Sequence, residues 1–470
     1  MIVGGFGVTR VRNRIRLTVR AGRFFNLILT GRVMKKNPKK LCENSFVERV
    51  RFFSYDYLRC CMYIAGSESG PHPFTKSLYS KLITTSHLLE DCLDFHGAKN
   101  NSNWYFYREL AAAVRHISLA GYSQKHVVNR LIFYDIDKKE DFRKQGEFVL
   151  EFLMSSLLKL APVIIEEARR LNIALPEKGF RAAHFPGISS GDMLDCDFED
   201  EDKGDYKTHI VRVANEFLSI AGNFDTYEFF EVYDQDELKN LVPSRVNEVE
   251  IRRFEMLVHN LQSSFDTYVI HGGYFHGRPI LNRFRAYFSI IYHLLQVMGR
   301  LLHFYERHQI KVGYKYTYER ARERLCELVD PDMLLDFTIN FGLYYINLFF
   351  SAGREVAQQI LQENIERSSV MVSVPRDLGF HCRPSLLVAK IVQHYGGQVD
   401  LMIGQDRFDA GSVLDIQWAG GKIQKENIQQ VRFEGDVRAL RDIETLSHVN
   451  YGEDRMGKGI PLPKSLHYLR

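Results

Sequence analysis

Apolar residues recur at helical spacing along most of the chain, with polar positions between them, and this pattern predicts a mainly helical protein. The clearest predicted helices are residues 46–61, 76–95, 103–132, 140–171, 246–270, 280–308 and 331–366. Aromatic residues fall on the apolar stripes of several of them, which is typical of a packed core. We expect a kink at Pro162, inside the fourth of these helices. The region from about residue 41 to residue 369 is therefore predicted to be a helical bundle.

The pattern changes near residue 370, where positions 370–374 alternate between apolar and polar as a strand does. A helical pattern then resumes at Pro384, which fits a first helical turn because its missing N–H would have no partner there. His381 therefore lies at the cap of this helix, with the N–H groups of Cys382 and Arg383 beside it. Helix N-termini favour anions, and a neutral imidazole there is a nucleophile that can accept a phosphoryl group. The alternative is that His381 merely caps the helix while Arg383 points into solvent.

Two motifs in this segment resemble those of the histidine-containing phosphocarrier protein HPr of the bacterial phosphotransferase system. Gly379-Phe380-His381-Cys382-Arg383-Pro384 stands where that family has Gly-Leu-His-Ala-Arg-Pro, and Gly411-Ser412-Val413-Leu414-Asp415-Ile416 matches its regulatory serine segment. The separation of 31 residues between His381 and Ser412 is also the family's own. The resemblance covers residues 370–449. It implies an α+β open-faced sandwich with the order strand, helix, strand, strand, short helix, strand, helix.

The resemblance also implies a function, that of a cytoplasmic phosphocarrier that needs no cofactor and accepts a phosphoryl group from phospho-enzyme I, itself charged from phosphoenolpyruvate. A ring nitrogen of His381 would form the phosphohistidine, and the backbone N–H groups of Cys382 and Arg383, with the Arg383 guanidinium, would hold the group. An HPr kinase is the implied partner of Ser412, where a phosphate would weaken the docking of an acidic partner. The implied docking patch consists of Val413, Leu414 and Ile416.

Three features depart from that family's pattern. Cys382 replaces the usual alanine and adds a thiol next to the histidine, and Gly411 replaces the lysine that usually precedes the serine. The chain also continues to Arg470, so the terminal carboxylate, which lies near the active histidine in the family, would have to fold back to reach it. We therefore expect Ser412 to be either a phosphorylatable serine or a plain N-cap.

Composition and charge restrict the remaining possibilities. The 470 residues are 45% apolar and 26% charged, as in an ordinary soluble protein. The seven cysteines show no paired spacing, which favours a reducing compartment over a disulfide framework or structural zinc site. Residues 1–40 hold 11 basic residues and no acidic ones, so the remainder is net acidic and is not expected to bind nucleic acid. Polar residues interrupt the most apolar run, 334–353, and we expect no transmembrane segment.

Shifts in composition also divide the chain. The predicted order is a basic arm (1–40), a helical domain (41–184), an acidic linker or loop (185–207), a second helical domain (208–369), the HPr-like domain (370–449) and a tail (450–470). The basic arm is either a segment that binds a membrane surface or nucleic acid, or a stretch that lies largely ahead of a translation start at Met34.

Two places in the helical region share a polar skeleton. The first is Asp91, His96, Gly97, Arg108, His116, His126 and Arg130, and the second is Asp266, His271, Gly272, Arg285, His293, His303 and Arg307. The steps from the arginine onward are 8, 10 and 4 residues in both. Either the region is a duplicated helical hairpin with an inward-facing site for an anionic ligand, or two unrelated polar clusters happen to match. The residues of such a site would be Arg108, His116, Arg285 and His293. We find no ferritin-type Glu-x-x-His pair at these places and expect no metal site.

Together these observations predict an HPr-like phosphocarrier or phosphorylation-dependent regulator, a signalling protein rather than a turnover enzyme. Its helical part would read or localise the phosphorylation state, and its downstream acceptor is not identified by any motif. The alternative is that the HPr-like domain is not phosphorylated and only docks partners on a helical ligand-binding or scaffold protein. An enzyme in the helical region is less favoured, because we find no nucleophile–base or glycine-rich phosphate motif there.

Overall fold

The computed structural model describes residues 38–66, 74–188, 206–227, 229, 231–270, 278–310, 316–376, 378–396, 398–454, 456 and 458–469. These residues are mainly helical, as predicted, and carry a four-stranded antiparallel sheet near the C-terminus. Most of the predicted basic arm, most of the acidic linker, and residues 271–272 of the polar skeleton lie outside the described residues. The chain from Arg49 onward forms one compact unit, and the unit before it contributes only the start of the first helix to this description.

The α-helices follow one another with short connections. They are α1 (Pro38–Ala65), α2 (Lys76–Phe95), α3 (Tyr105–Arg130), α4 (Lys139–Arg170), α5 (Tyr206–Phe224), α6 (Gln235–Leu241), α7 (Glu248–Phe265), α8 (Pro279–Phe304), α9 (Tyr316–Leu328), α10 (Pro331–Asp336), α11 (Tyr344–Asn364), α12 (Cys382–Tyr395), α13 (Val413–Lys425) and α14 (Val437–His448). Short π-helical turns are Asp266–Ile270 after α7, Tyr305–Gln309 after α8 and Phe337–Leu343 between α10 and α11. Pro162 lies inside α4 and does not end it.

The helical part is organised around a contact between α3 and α8. Helix α2 packs against α3 and α7 against α8, so that each pair forms a helical hairpin. The two hairpins meet where α3 packs on α8, and the outer helices α4 and α11 lie on α3 and α8 respectively. Each half therefore supplies a hairpin and an outer helix, which is the arrangement that a two-fold axis between α3 and α8 would produce.

Glycine permits close helix contact at two places in this part. A Cβ atom on Gly121 of α3 would lie 2.4 Å from the ring of Tyr79 in α2, and one on Gly353 of α11 would lie 2.4 Å from the ring of Phe217 in α5. Non-bonded carbon atoms do not approach so closely in a close-packed interior. Both rings are fully buried, so they fill the space that a larger residue in place of glycine would need.

A small α+β domain begins directly after α11. Its strands are β1 (Arg367–Ser373), β2 (Val399–Ile403), β3 (Asp406–Asp409) and β4 (Gln430–Asp436). They form an antiparallel sheet in the order β1-β4-β2-β3, and the helices alternate with the strands in the predicted order. Alternate strand residues such as Leu401 and Phe433 are buried in one core with residues of α12, α13 and α14. Met371 on β1 is exposed, in keeping with a sheet covered on one face.

The segment after α14, predicted to be a tail, packs back onto the α+β domain. Leu466 and Leu469 belong to the buried core of that domain. The hydroxyl of Tyr451 donates a hydrogen bond of 2.9 Å to the carbonyl oxygen of Ser373 at the end of β1. The last described residues are therefore part of the domain rather than an extension beyond it.

Helix α5 of the helical part packs against the α+β domain. Arg438 of α14 donates a hydrogen bond of 2.6 Å to the hydroxyl of Thr208. Gly396, at the C-terminal end of α12, lies so close to Arg212 of α5 that a Cβ atom on it would come within 3.1 Å of the arginine Cα. A helix rises 1.5 Å per residue, so the N-terminal end of α12 lies about 20 Å away from this contact.

Two helices of the described chain are long and apolar enough to cross a membrane by length and composition alone. They are Lys139–Arg170 and the continuous helical stretch Pro331–Asn364. Core helices of soluble proteins pass the same test. The most apolar window is 61% buried inside the protein in the second helix and 44% buried in the first. The prediction of no transmembrane segment rested on residues 334–353, which lie in Pro331–Asn364. The helix Lys139–Arg170 was not identified as a candidate from the sequence.

Candidate functional site

The site predicted from sequence lies where β1 connects to α12. Gly379 has a φ of +60°, a left-handed conformation that glycine adopts without strain. The next residue, Phe380, is buried and holds the connection against the core, with its ring 5.2 Å from that of Tyr451. His381 then takes an extended backbone conformation at the N-cap position. Pro384 is buried in the first turn of the helix.

The side chain of His381 does not cap the helix. It occupies the N-cap position through its backbone, since its carbonyl oxygen accepts a hydrogen bond of 3.2 Å from the N–H of Ser385. His381 is thus the N-cap residue through its backbone, as the sequence predicts, and its imidazole makes no capping hydrogen bond. Cys382 and Arg383 are the first two helical residues, and their N–H groups have no partner inside the helix. These donors and the positive end of the helix dipole remain free to bind an anion.

The imidazole ring instead makes a hydrogen bond with Glu453, in the segment after α14. Nε2 of His381 lies 2.8 Å from Oε2 of Glu453. The glutamate side chain is only 3% exposed, and its other oxygen, Oε1, lies 3.7 Å from Nε of Arg383. The amide of Asn450 donates a hydrogen bond of 3.2 Å to the carbonyl oxygen of Glu453, which fixes its backbone. The folded-back segment thus brings a carboxylate to the histidine, although it is a side-chain carboxylate and not the terminal one.

This hydrogen bond indicates which ring nitrogen carries the proton. A carboxylate accepts hydrogen bonds and cannot donate them when ionised, so the ring proton lies on Nε2 and Nδ1 carries the lone pair. The His381 side chain is 33% exposed and that of Arg383 is 51% exposed. A reactant in solution can therefore reach the ring.

Only one residue of the predicted docking patch lies on the surface of the domain. Leu414 is 74% exposed, but Ile416 is fully buried in the domain core and Val413 packs against that core. Trp418, which the sequence analysis did not single out, is 79% exposed and lies one turn after Leu414 on α13. The exposed apolar surface next to His381 is thus formed by Leu414 and Trp418. Its connection to the site is Gln417, which donates a hydrogen bond of 3.3 Å to Sγ of Cys382.

Ser412 occupies the N-cap position of α13. Its side chain accepts a hydrogen bond of 3.3 Å from the N–H of Asp415. The backbone of the preceding Gly411 is also held, because its N–H donates a hydrogen bond of 2.7 Å to Asp409. The capping role is therefore confirmed, whereas phosphorylation of this serine stays a prediction.

The arginines of the predicted ligand site are neutralised by carboxylates. Arg108 is buried and forms ion pairs with Glu90 and Asp94, each at 2.8 Å, and with Glu109 at 3.0 Å. Asp91, another member of the polar skeleton, lies on the surface, 3.4 Å from His87. Arg285 pairs with Asp266 at 3.0 Å. The structure therefore does not bring Arg108 and Arg285 together with the histidines as one site for an anion.

The histidines of the polar skeleton meet across the α3–α8 contact in two pairs. The ring of His116 stacks on that of His303 at 4.2 Å, and the ring of His126 lies 4.4 Å from that of His293. In the two skeletons His116 corresponds to His293, and His126 corresponds to His303. Each observed pair therefore joins the first histidine after the arginine of one skeleton to the second histidine after the arginine of the other, which is the reciprocal pairing expected about a two-fold axis. Burial lowers the pKa of His126 to about 3 and that of His293 to about 4. Burial, together with the neighbouring His303, also lowers the pKa of His116 well below its ordinary value.

Comparison with known proteins adds no family to these observations. No protein-family model matches the chain, and neither a curated protein nor a solved structure is significantly similar to it. The function is therefore argued from the geometry of the site itself.

Proposed function

We propose that the C-terminal α+β domain is an HPr-like phosphocarrier, which accepts a phosphoryl group on Nδ1 of His381 from a phospho-enzyme I-like donor. The single observation that carries the proposal is the 2.8 Å hydrogen bond between Nε2 of His381 and Glu453. A histidine at the end of a helix is common, but one whose second nitrogen is held by a buried carboxylate is arranged as a nucleophile.

The surroundings of the ring support this chemistry. As Nδ1 attacks, a phosphorus–nitrogen bond forms and the bond between phosphorus and the donor breaks. The ring becomes positively charged, and the Glu453 carboxylate stabilises that charge through Nε2–H. The N–H groups of Cys382 and Arg383, together with the exposed guanidinium of Arg383, provide donors for the phosphoryl oxygens. No metal ion or cofactor takes part in this scheme.

The architecture of the domain also supports the proposal. The order of strands and helices is the one that the resemblance implies, and the helices cover one face of the sheet. His381 and Ser412 cap consecutive helices, α12 and α13, and the exposed pair Leu414 and Trp418 offers an apolar surface beside the histidine. A partner that docks there would have His381 within reach. In the part of the chain that the structure describes, the helical part contacts the opposite end of α12, and Leu414 and Trp418 are exposed.

The test is phosphoryl transfer from labelled phosphoenolpyruvate and enzyme I to the full-length chain. We expect acid-labile label on the wild-type protein and on His467→Ala, a control at an exposed histidine of the same domain. His381→Ala should take up no label. Label that survives acid, label that persists in His381→Ala, or no label on the wild type would each overturn the proposal.

A second function is favoured by one observation, the exposure of Trp418 and Leu414. A domain that only docks partners needs such a surface and does not need a phosphorylated histidine. In that case His381→Ala would bind a phosphotransferase partner with unchanged affinity while the wild type took up no label. Isothermal titration of both proteins with enzyme I distinguishes the two functions.

A further inference from the structure

Three histidine rings converge inside the helical part, far from the proposed phosphorylation site. They belong to His116 on α3, His303 on α8 and His308 in the π-helical turn that follows α8. One ring nitrogen from each lies within 4.8 Å of the corresponding nitrogens of the other two. His116 and His308 are buried, and the side chain of His303 is 23% exposed. His116 and His303 belong to the polar skeleton of the sequence, whereas His308 does not.

Two of these rings are oriented by buried carboxylates. Nδ1 of His303 lies 2.8 Å from Oε1 of Glu248, and Nδ1 of His308 lies 2.6 Å from Oε2 of Glu109. Glu109 and Glu248 are both at least nine-tenths buried. Each carboxylate accepts a hydrogen bond from Nδ1–H, so Nε2 of each ring keeps its lone pair. Histidine ligands of metal ions are held in this way, with the second ring nitrogen hydrogen-bonded to a carboxylate.

The third ring has a polar atom that no protein group satisfies. Nδ1 of His116 is buried and makes no hydrogen bond. Leaving such an atom unpaired costs about 1–3 kcal/mol, unless a ligand satisfies it. Its other nitrogen, Nε2, lies 3.1 Å from the guanidinium of Arg115, which also pairs with Glu90 at 2.7 Å. A ligand on Nδ1 requires the ring proton to lie on Nε2, which can then no longer accept a hydrogen bond from Arg115. Arg115 would keep only its ion pair with Glu90.

We propose that His116, His303 and His308 bind one divalent transition-metal ion, with Zn²⁺ as the first candidate. Three neutral imidazoles are the donor set that Zn²⁺, Cu²⁺, Ni²⁺ and Co²⁺ accept, whereas Mg²⁺ and Ca²⁺ require oxygen ligands. Three protein ligands leave the fourth position of a tetrahedral ion to water or a small ligand. The partial exposure of His303 gives the ion a route from solvent. The expectation of no metal site rested on a missing Glu-x-x-His pair, which a three-histidine site does not need.

The second histidine pair of the α3–α8 contact is a matched control within the same protein. The rings of His126 and His293 lie 4.4 Å apart and are tilted by 52°, whereas those of His116 and His303 stack at 4.2 Å. In the described residues no third histidine, cysteine or carboxylate completes a metal-binding group with His126 and His293. The amine of Lys76 lies 3.0 Å from Nδ1 of His126. A positive charge there opposes a metal ion. His126→Gln should therefore leave metal binding unchanged.

The test is Co²⁺ titration of the full-length chain after removal of metal with a chelator, followed by competition with Zn²⁺. We expect one equivalent of Co²⁺ with the visible absorption bands of a four-coordinate ion, which Zn²⁺ abolishes. His116→Gln and His308→Gln should each weaken binding at least tenfold while far-ultraviolet circular dichroism stays native, and His126→Gln should bind as the wild type does.

Arg115→Gln is a second test variant, and it keeps all three proposed histidine ligands. It removes the cation next to His116, so it should strengthen Co²⁺ binding, whereas it would abolish binding of an anion at the same place. Absence of stoichiometric Co²⁺ binding by the wild type would overturn the proposal. Equal binding by natively folded His308→Gln, or weaker binding by Arg115→Gln, would overturn it as well. None of these results bears on the labelling of His381.

Discussion

His381 and Glu453 are 72 residues apart in the sequence, yet a hydrogen bond of 2.8 Å joins their side chains. The glutamate is almost completely buried, and Arg383 lies 3.7 Å from its second oxygen. A carboxylate held in this way orients the imidazole and stabilises the positive charge that forms on the ring during attack. In the proposed phosphocarrier, Glu453 would therefore be a positioning residue that acts on the phosphoryl group only through His381.

Replacement of Glu453 by glutamine tests this role, because the amide keeps an acceptor oxygen and loses the charge. We expect kcat for labelling by phospho-enzyme I to fall about tenfold with KM unchanged, since a hydrogen bond to a charged group is stronger by about 1.4 kcal/mol. The measurement is the initial rate of labelling at several donor concentrations. Glu444→Gln, at an exposed position of α14, is the matched control. A wild-type rate in Glu453→Gln would contradict the assigned role.

The sequence could identify His381 but not Glu453, and the reason is physical. The reactive position of His381 follows from local rules, because Pro384 and the strand-to-helix change locate the helix N-terminus. Glu453 reaches the ring only because residues after α14 fold back and bury Leu466 and Leu469 in the domain core. No local pattern in the sequence encodes that return. His308 lies at the end of the predicted helix 280–308 but outside the repeated polar skeleton, so the repeat did not point to it.

The N-cap residue of α13, Ser412, sets where the helix begins and so which of its residues face outward. Because Ser412 caps α13, Ile416, Ala419 and Ile423 face the core. Leu414 and Trp418 therefore face solvent, one helical turn apart. The predicted patch followed the family's motif and so included Ile416, which the phase of the helix buries. A helical projection from the Ser412 cap would have identified Trp418 instead.

Trp418→Ala should weaken docking of the donor without affecting the stability of the domain. A large exposed aromatic residue at the centre of a contact typically contributes about 2 kcal/mol, so we expect KM for phospho-enzyme I to rise about tenfold or more. Ile416→Ala is the contrasting variant. It should lower the unfolding free energy by about 2–5 kcal/mol, as deletion of a buried isoleucine does, and shift the denaturation midpoint. Equal KM values for Trp418→Ala and the wild type would show that the donor docks elsewhere.

The α3–α8 contact predicts a dependence of stability on pH. Burial lowers the pKa of His293 to about 4, whereas an unfolded histidine titrates near 6.5. Between these values the unfolded chain binds a proton that the folded chain does not. The free energy of unfolding should therefore fall as the pH decreases from about 6.5 towards 4, by on the order of 3 kcal/mol from this residue.

Urea denaturation at intervals across this pH range measures that effect. His293→Gln should lose part of the pH dependence, and His87→Gln, which changes a half-exposed histidine on the surface of α2, should retain all of it. A wild-type slope in His293→Gln would mean that the ring is not held neutral in the α3–α8 contact.

The helices themselves were largely predictable. The prediction of 76–95 matches α2, and 103–132 and 140–171 differ from α3 and α4 by one or two residues at each end. Long amphipathic helices show a strong periodicity of apolar residues, so they can be predicted from the sequence. The helices against which each of them packs cannot be predicted from that periodicity. The polar skeleton was informative for this reason: its repeated spacing indicated two related hairpins, and the histidine pairs across α3 and α8 have the reciprocal arrangement that such a relation requires.

In the whole molecule, the two ends of α12 have different surroundings. Its C-terminal end at Gly396 contacts α5 of the helical part, and its N-terminal end carries His381 about 20 Å away. The predicted start of the α+β domain near residue 370 is close to that of β1, but the domain extends beyond the predicted end at 449. Among the described residues the helical part thus contacts the domain away from His381, whose side chain is 33% exposed, as the proposed docking of a phosphoryl donor requires.

The central claim is that Nδ1 of His381 is the acceptor while Nε2 is held by Glu453. The most direct measurement is nitrogen-15 and phosphorus-31 magnetic resonance of the full-length chain, labelled at the histidine rings, before and after incubation with phosphoenolpyruvate and enzyme I. The account predicts a new phosphorus–nitrogen coupling to Nδ1 of His381, with Nε2 still protonated. A phosphoryl group on Nε2, or a spectrum of His381 that does not change, would contradict it.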